Sequence, residues 1–90
     1  MNQLTNEQME LSTHAKAMLK ERNIREEWIW RTINTPQKRK RGADGNMHYT
    51  KAIKESGGRV LHIVVNSDVY PNRIVTAFFD RRLGKKKRGK

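Results

Sequence analysis

The clearest indication of the fold comes from Met47 to Asn66, MHYTKAIKESGGRVLHIVVN. Arg59 to Asn66 is rich in Val, Leu and Ile, which is typical of a strand, and Met47 to Lys54 alternates between apolar and polar residues. Between them, Glu55-Ser-Gly-Gly58 is a strong hairpin signal, because glycine adopts the conformations that tight turns need. The sequence therefore predicts two antiparallel strands joined by a short turn.

The register of this hairpin follows if Ser56-Gly57 forms the centre of the turn. Lys51 then pairs with His62, and Tyr49 pairs with Val64. Because side chains alternate along a strand, Tyr49, Lys51 and His62 share one face, which we expect to be open. A slip of one residue would exchange the two faces. The other face is expected to be the core and carries His48, Thr50, Leu61, Ile63, Val65, Ile74, Thr76 and Phe78.

Two helices are predicted upstream of the hairpin. The first spans Thr5 to Asn23, with Ser12 as the N-cap of its well-packed part and Asn23 as its stop. The second spans Ile24 to Asn34, because Pro36 prevents its continuation. Its buried stripe is predicted to be Trp28, Ile29, Thr32 and Ile33.

The remaining segments complete a meander of strands. Pro36 to Arg41 is predicted as a short basic edge strand, and Arg73 to Asp80 as the last strand. The expected fold class is α+β, with two N-terminal helices packed on a three- to four-stranded antiparallel sheet. The predicted organisation is a polar N-terminal extension (1–10), a single α+β domain (11–83) and a basic disordered tail (84–90).

The charge of the chain points to a polyanionic partner. The net charge is +11, and seven of the ten residues from Arg81 to Lys90 are cationic. Such runs repel themselves and gain most by neutralising phosphates. We therefore expect contact with nucleic acid, and RNA more than DNA. The residues predicted to bind it are Lys38, Arg39, Lys40, Arg41, Tyr49, Arg59, Arg81, Arg82, Lys85, Lys86, Lys87 and Arg88.

Composition narrows the chemistry further. The chain has no cysteine, which excludes a disulfide scaffold, a thiolate zinc site and a cysteine nucleophile. Its three histidines lack metal-ligand spacing, so we expect neither a metal nor a cofactor. No segment reads as a signal peptide or a membrane span, and we expect a cytoplasmic protein without a membrane partner.

Five short motifs follow one another in a recognisable order and spacing over residues 11 to 79. They are His14-Ala15, Glu21-Arg22-Asn23-Ile24, Asn34-Thr35-Pro36, Ile63-Val64-Val65 and Ile74-Val75-Thr76. This layout resembles the RelE-like ribonuclease toxins and, more closely, a family of small domains of unknown function within that group. The chain departs from the pattern at Ala17, where similar proteins often have an arginine. The resemblance implies a RelE-like fold, and it makes an acidic, antitoxin-like protein a candidate partner.

Cleavage of RNA without a metal requires a base for the 2′-hydroxyl, an acid for the leaving 5′-oxygen and cations for the phosphorane. The candidate catalytic residues are His14, Arg22, Lys51 and His62. His62 is the predicted base or acid, and Lys51 or Arg22 the predicted ligand of the phosphorane. His14 joins the candidates through the resemblance.

Three functions stay open at this point. The first is a RelE-like toxin or endoribonuclease, the second a non-catalytic RNA- or DNA-binding module, and the third an adaptor for an acidic protein partner.

Overall fold

The computed structural model describes residues 9–83, which form two helices and one five-stranded sheet. The strand order is β1-β5-β4-β3-β2, and the β1–β5 pair is parallel whereas the other pairs are antiparallel. The elements in chain order are β1 (Met9–Glu10), α1 (Thr13–Glu21), α2 (Glu26–Asn34), β2 (Lys38–Arg41), β3 (Met47–Ile53), β4 (Arg59–Asn66) and β5 (Asn72–Phe79).

The prediction of a three- to four-stranded antiparallel sheet is wrong, although the α+β character holds. The difference is β1, in which Met9 pairs with Asn72 and Glu10 with Arg73. Two residues are too few to show a period of two, so this strand leaves no pattern in the sequence. Its position is fixed by burial, since the Met9 side chain is 0% exposed.

The ends of the two helices are set by residues that favour helix termini. Ser12 is the N-cap of α1, as predicted, and its Oγ accepts a hydrogen bond from the Ala15 N–H at 3.0 Å. Asn23 follows α1 with a φ of 57°, the left-handed conformation that ends many helices. Glu26 and Glu27 occupy the first turn of α2, where their charge complements the helix dipole.

The helices cover one face of the sheet. The predicted stripe of α2 is buried, and it packs with Ala15 and Leu19 of α1. The strands contribute Tyr49, Ile53, Leu61, Ile63, Val65, Ile74 and Ala77 to this core. For β4, the predicted core face is therefore confirmed.

For β3, the predicted face is wrong, because the register differs by one residue. Ile53 pairs with Arg59, so His62 lies opposite Thr50 and not Lys51. The connection is a five-residue loop, a 3₁₀ turn at Lys54–Ser56 followed by two glycines with positive φ. An odd loop length reverses the alternation that a two-residue turn would give.

Candidate functional site

A chain of hydrogen bonds crosses the sheet face that the helices leave uncovered. His48 of β3 lies two residues before Thr50, the partner of His62 in β4, so the two imidazoles are diagonal neighbours. His48 Nδ1 is 2.8 Å from His62 Nε2. Beyond the rings lie two carboxylates, with His62 Nδ1 2.9 Å from Asp80 Oδ2 and His48 Nε2 3.1 Å from Asp44 Oδ1. We call these four side chains, Asp44, His48, His62 and Asp80, the imidazole relay.

Asp80 is the buried end of the relay. It directly follows β5, is 4% exposed, and is fixed by the hydrogen bond from its own N–H to the Val60 carbonyl. Its carboxylate accepts hydrogen bonds from the Arg82 N–H and guanidinium at 2.8–3.1 Å, besides the contact with His62. The side-chain hydrogen bond from Arg82 is the main reason why the pKa of Asp80 lies well below its usual range, despite burial. Asp80 is thus an ionised carboxylate at neutral pH.

Asp44 is the exposed end of the relay, in the turn between β2 and β3. The N–H of Asn46 donates to Asp44 Oδ1 at 3.0 Å, and this bond with the one from His48 lowers the pKa of Asp44 to about 2. Gly42 lies against the same ring: a Cβ at this position would be 2.5 Å from His48 Nε2. A glycine is therefore needed here to leave room for the imidazole.

The three contacts of the relay require three ring N–H groups, one more than two neutral imidazoles carry. Each carboxylate contact uses a ring N–H, because both carboxylates are ionised. The His48–His62 contact needs a third N–H, since two lone pairs at 2.8 Å would repel each other. With all three contacts made, one ring is neutral and the other is an imidazolium. Opening the contact with Asp44 lets both rings be neutral, with His62 donating to Asp80 and His48 donating through Nδ1 to His62.

In that open form His48 Nε2 carries a free lone pair. The orientation of the two imidazole rings is fixed by ring contacts on this face. His62 stacks on Phe78, with centroids 4.9 Å apart and planes at 23°, and meets His48 edge to face at 5.0 Å. The relay can thus present a base of defined tautomer toward solvent.

The relay borders a pocket of about 310 Å³ on the uncovered face. Its wall on the β2 side is cationic, and its opposite wall is the turn after β5. The lining residues are Lys38, Lys40, His48, Thr50, His62, Asp80, Arg82 and Leu83. Arg82 is paired with the Asp80 carboxylate, so the charge that suits a phosphate group comes mainly from Lys38 and Lys40, beside the two imidazoles.

Comparison with known proteins gives one result. The model of the domain of unknown function DUF4258 matches the chain over residues 11–79. The chain belongs to the DUF4258 family. No curated protein and no solved structure matches it. The expected relation to a family of small domains of unknown function is thereby confirmed, and the family description names no activity.

The DUF4258 domain does not bring the four predicted catalytic residues together. Only His62 lies in the relay. Lys51 lies on the helix-covered side, where its Nζ donates to the Thr35 carbonyl at 2.8 Å. Arg22 donates to the Ala77 carbonyl at 2.8 Å, and His14 is an exposed residue of α1.

The residues predicted to bind nucleic acid fall into separate groups. All four cations of β2, Lys38 to Arg41, are exposed on the edge strand that the sequence predicts. Arg82 pairs with Asp80 of the relay. Arg81 is exposed, and Arg59 lies over the Phe79 ring. Tyr49 is 7% exposed and its ring is part of the core. The predictions for Lys85, Lys86, Lys87 and Arg88 fall outside the described residues.

Sequence reasoning missed three members of the relay. His48 was assigned to the core face by the shifted register, and the correct pairing would have placed it beside His62. Asp80 could have been selected from the sequence, because it is an acidic residue directly after an apolar strand. Asp44 could not be found, because its contact depends on the β2–β3 turn and on the space that Gly42 leaves for the His48 ring.

Two further observations concern residues 9–83. No helix in this part of the chain is long and apolar enough to cross a membrane. Its His, Asp and Glu side chains form no group of three that could hold a metal ion.

Proposed function

We propose that this DUF4258 domain binds RNA and cleaves it without a metal, as a relative of the RelE-like ribonuclease toxins. The observation that carries the proposal is the imidazole relay beside the cationic β2 strand. Oriented imidazoles supply acid–base chemistry, and the cations supply charge for a phosphorane.

In the proposed reaction, His48 is the catalytic residue. The RNA displaces Asp44 from His48 Nε2, and the proton that the relay no longer needs passes to solvent water. His48 Nε2 then takes the 2′-hydroxyl proton while the 2′-oxygen forms a bond to phosphorus. The bond from phosphorus to the 5′-oxygen breaks, and His48 returns the proton to that oxygen. The products are a 2′,3′-cyclic phosphate and a 5′-hydroxyl, so atoms and protons balance.

The other residues have supporting roles in this proposal. His62 and Asp80 act through His48, since they fix its tautomer and share the positive charge that it gains. Lys38, Lys40 and Arg82 line the pocket, and in this proposal they stabilise the negative charge of the phosphorane.

The test is incubation of the purified full chain with a defined single-stranded RNA in the presence of a chelator, with and without ribosomes. Wild-type protein is expected to generate 2′,3′-cyclic phosphate ends. His48→Ala and His62→Ala are expected to cleave about 10²–10⁴-fold more slowly and to bind RNA as wild type does. The matched control is His14→Ala, which removes an exposed imidazole from α1 and should cleave normally.

A non-catalytic RNA-binding module is the second candidate. The four exposed cations of β2 favour it, because they contact phosphate without any help from the imidazoles. Wild-type protein that binds RNA but leaves it intact, with ribosomes present, would select this candidate.

A further inference from the structure

A second pocket, of about 410 Å³, lies at the end of the sheet where β4 begins and β5 ends. This volume is within the range of about 300–1,000 Å³ that small-molecule sites occupy. Its lining is apolar at Val60, Phe79 and Leu83 and charged at Arg59, Asp80 and Arg81. The pocket therefore combines apolar walls with planar cations.

Arg59 provides a flat platform in this pocket. Its guanidinium carbon lies 4.0 Å from the centroid of the Phe79 ring. Ser56 holds the group in place, since Arg59 Nη2 and Nε donate to Ser56 Oγ at 2.8 and 3.2 Å. The Phe79 ring is itself held by an edge contact with Trp28, with centroids 6.1 Å apart. One face of the guanidinium is thus covered by a fixed ring, while Arg59 as a whole is exposed.

This second pocket adjoins the pocket of the imidazole relay. Asp80 and Leu83 line both of them. The carboxylate of Asp80 is engaged by His62 and Arg82, so it belongs to the relay. A ligand that spans both pockets would pass over the short turn from Asp80 to Leu83.

From this arrangement we propose that the second pocket is a nucleobase subsite for single-stranded RNA. A base stacks on the free face of the Arg59 guanidinium, against Val60 and Leu83, while the neighbouring phosphate lies between Lys38, Lys40 and Arg82. The inference rests on the proposed function and adds to it the class of substrate: a strand whose bases are unpaired. Stacking of this kind tolerates every base, because each has a π-face.

Two features favour a base over a further phosphate. A phosphate gains little from the apolar walls, whereas a base buries its faces against them. The guanidinium of Arg59 is already held over the Phe79 ring by its hydrogen bonds to Ser56, and a planar cation that is ordered in advance favours stacking of another planar group.

The experiment measures affinity for a short single-stranded RNA in the His48→Ala background, in which any cleavage is expected to be too slow to disturb the measurement. The same RNA is prepared with one abasic nucleotide, moved through successive positions. Arg59→Ala removes the platform, Arg59→Lys keeps the charge without the plane, and Arg73→Ala removes an exposed arginine from the other end of β5 as the matched control.

One abasic position is expected to weaken binding roughly 5- to 150-fold, the range that stacking of one base corresponds to. Arg59→Ala and Arg59→Lys should weaken intact RNA by a similar factor, and should show no further loss with the abasic strand. Arg73→Ala should leave the abasic effect unchanged.

The inference is overturned if no abasic position matters, or if Arg59→Ala weakens intact and abasic strands equally, since Arg59 would then contact phosphate alone. Its failure is separable from that of the proposed function. If the abasic effect depends on Arg59 but wild-type protein never cleaves RNA, the subsite stands and the ribonuclease proposal falls.

Discussion

The two faces of β3 and β4 are built from the same strands but held together by different physics. On the helix-covered face, Leu61, Ile63 and Val65 are 0% exposed and contact other apolar side chains. The uncovered face carries His48 of β3 and His62 of β4, which are held by three directional contacts of 2.8–3.1 Å. Burial of hydrocarbon is non-directional and tolerant of geometry, whereas a hydrogen-bonded relay works in one arrangement.

For the proposed ribonuclease, this contrast predicts that stability and catalysis depend on different faces of the sheet. Removing a side chain from the covered face should cost stability. Removing either imidazole from the uncovered face should cost activity and leave the fold in place. Each of the following substitutions tests this division, in order of decreasing effect.

The largest effect is expected from the two imidazoles taken together. His48→Ala and His62→Ala each remove the relay, so the double variant should cleave RNA no more slowly than either single variant, about 10²–10⁴-fold below wild type. Initial rates under single-turnover conditions measure this. Losses that multiply in the double variant would show that the two rings act independently.

Ile63→Ala should give the largest loss of stability. It opens a cavity in the covered face and is expected to lower the free energy of unfolding by about 2–5 kcal/mol. Urea denaturation followed by circular dichroism measures the change. Thr50→Ala, on the uncovered face opposite His62, is the control and should cost far less. Equal losses would erase the distinction between the faces.

Gly42→Ala should slow cleavage by displacing the His48 ring, without removing any side chain of the relay. The added Cβ would lie 2.5 Å from His48 Nε2, so the ring must move. Misplacement of a reacting group by about 1 Å can cost up to ~10²-fold in rate. Gly58→Ala is the comparison. Alanine at the φ of 84° that Gly58 adopts would strain the β3–β4 loop, but its Cβ would not touch His48. Normal cleavage by Gly42→Ala would argue against His48 as the catalytic residue.

Asp80→Asn should make the loss of stability depend on pH. The pKa of Asp80 is depressed in the folded state, so its carboxylate stabilises the fold above the usual pKa of an aspartate, and this contribution is lost as the pH falls. The variant should be about 1–3 kcal/mol less stable at pH 7, and the gap should narrow below about pH 4. Thermal melts across pH test this, with Asp68→Asn as an exposed control; a gap independent of pH would contradict it.

The smallest effect concerns the edge strand. Replacing Lys38 and Lys40 together by glutamine should reduce the slope of log affinity against log salt by roughly 1.4 on single-stranded RNA, about 0.7 for each phosphate contact. Lys16→Gln with Lys20→Gln changes the same number of exposed cations on α1 and should leave the slope unchanged. A slope equal to wild type in the β2 variant would remove this strand from the interface.

Much of the fold could be read from the sequence, because its strongest patterns are local. The Ser12 cap, the buried stripe of α2 and the bounds of β4 all come from residues that contact near neighbours or repeat with a clear period. The strand β1 could not, because its pairing with Asn72 and Arg73 joins segments about sixty residues apart in the chain.

The site was harder to predict, because it depends on a single loop. The length of the loop after Ile53 decides whether His48 or Lys51 neighbours His62, because one residue more or fewer exchanges the faces of β3. The sequence of β3 itself does not distinguish the two registers. His62 is a candidate from the sequence because of its imidazole, whatever the register, and its catalytic role stays a prediction. Its partners were missed because they are partners only through the register.

The tetracationic strand β2 has one further consequence, for the colloidal behaviour of the protein. An edge strand offers unpaired backbone groups to any other strand, and proteins avoid aggregation by placing charge there. Two copies meeting along β2 would bring four cations from each strand into close contact. Self-association through this edge is therefore opposed at low ionic strength and becomes easier as salt screens the repulsion.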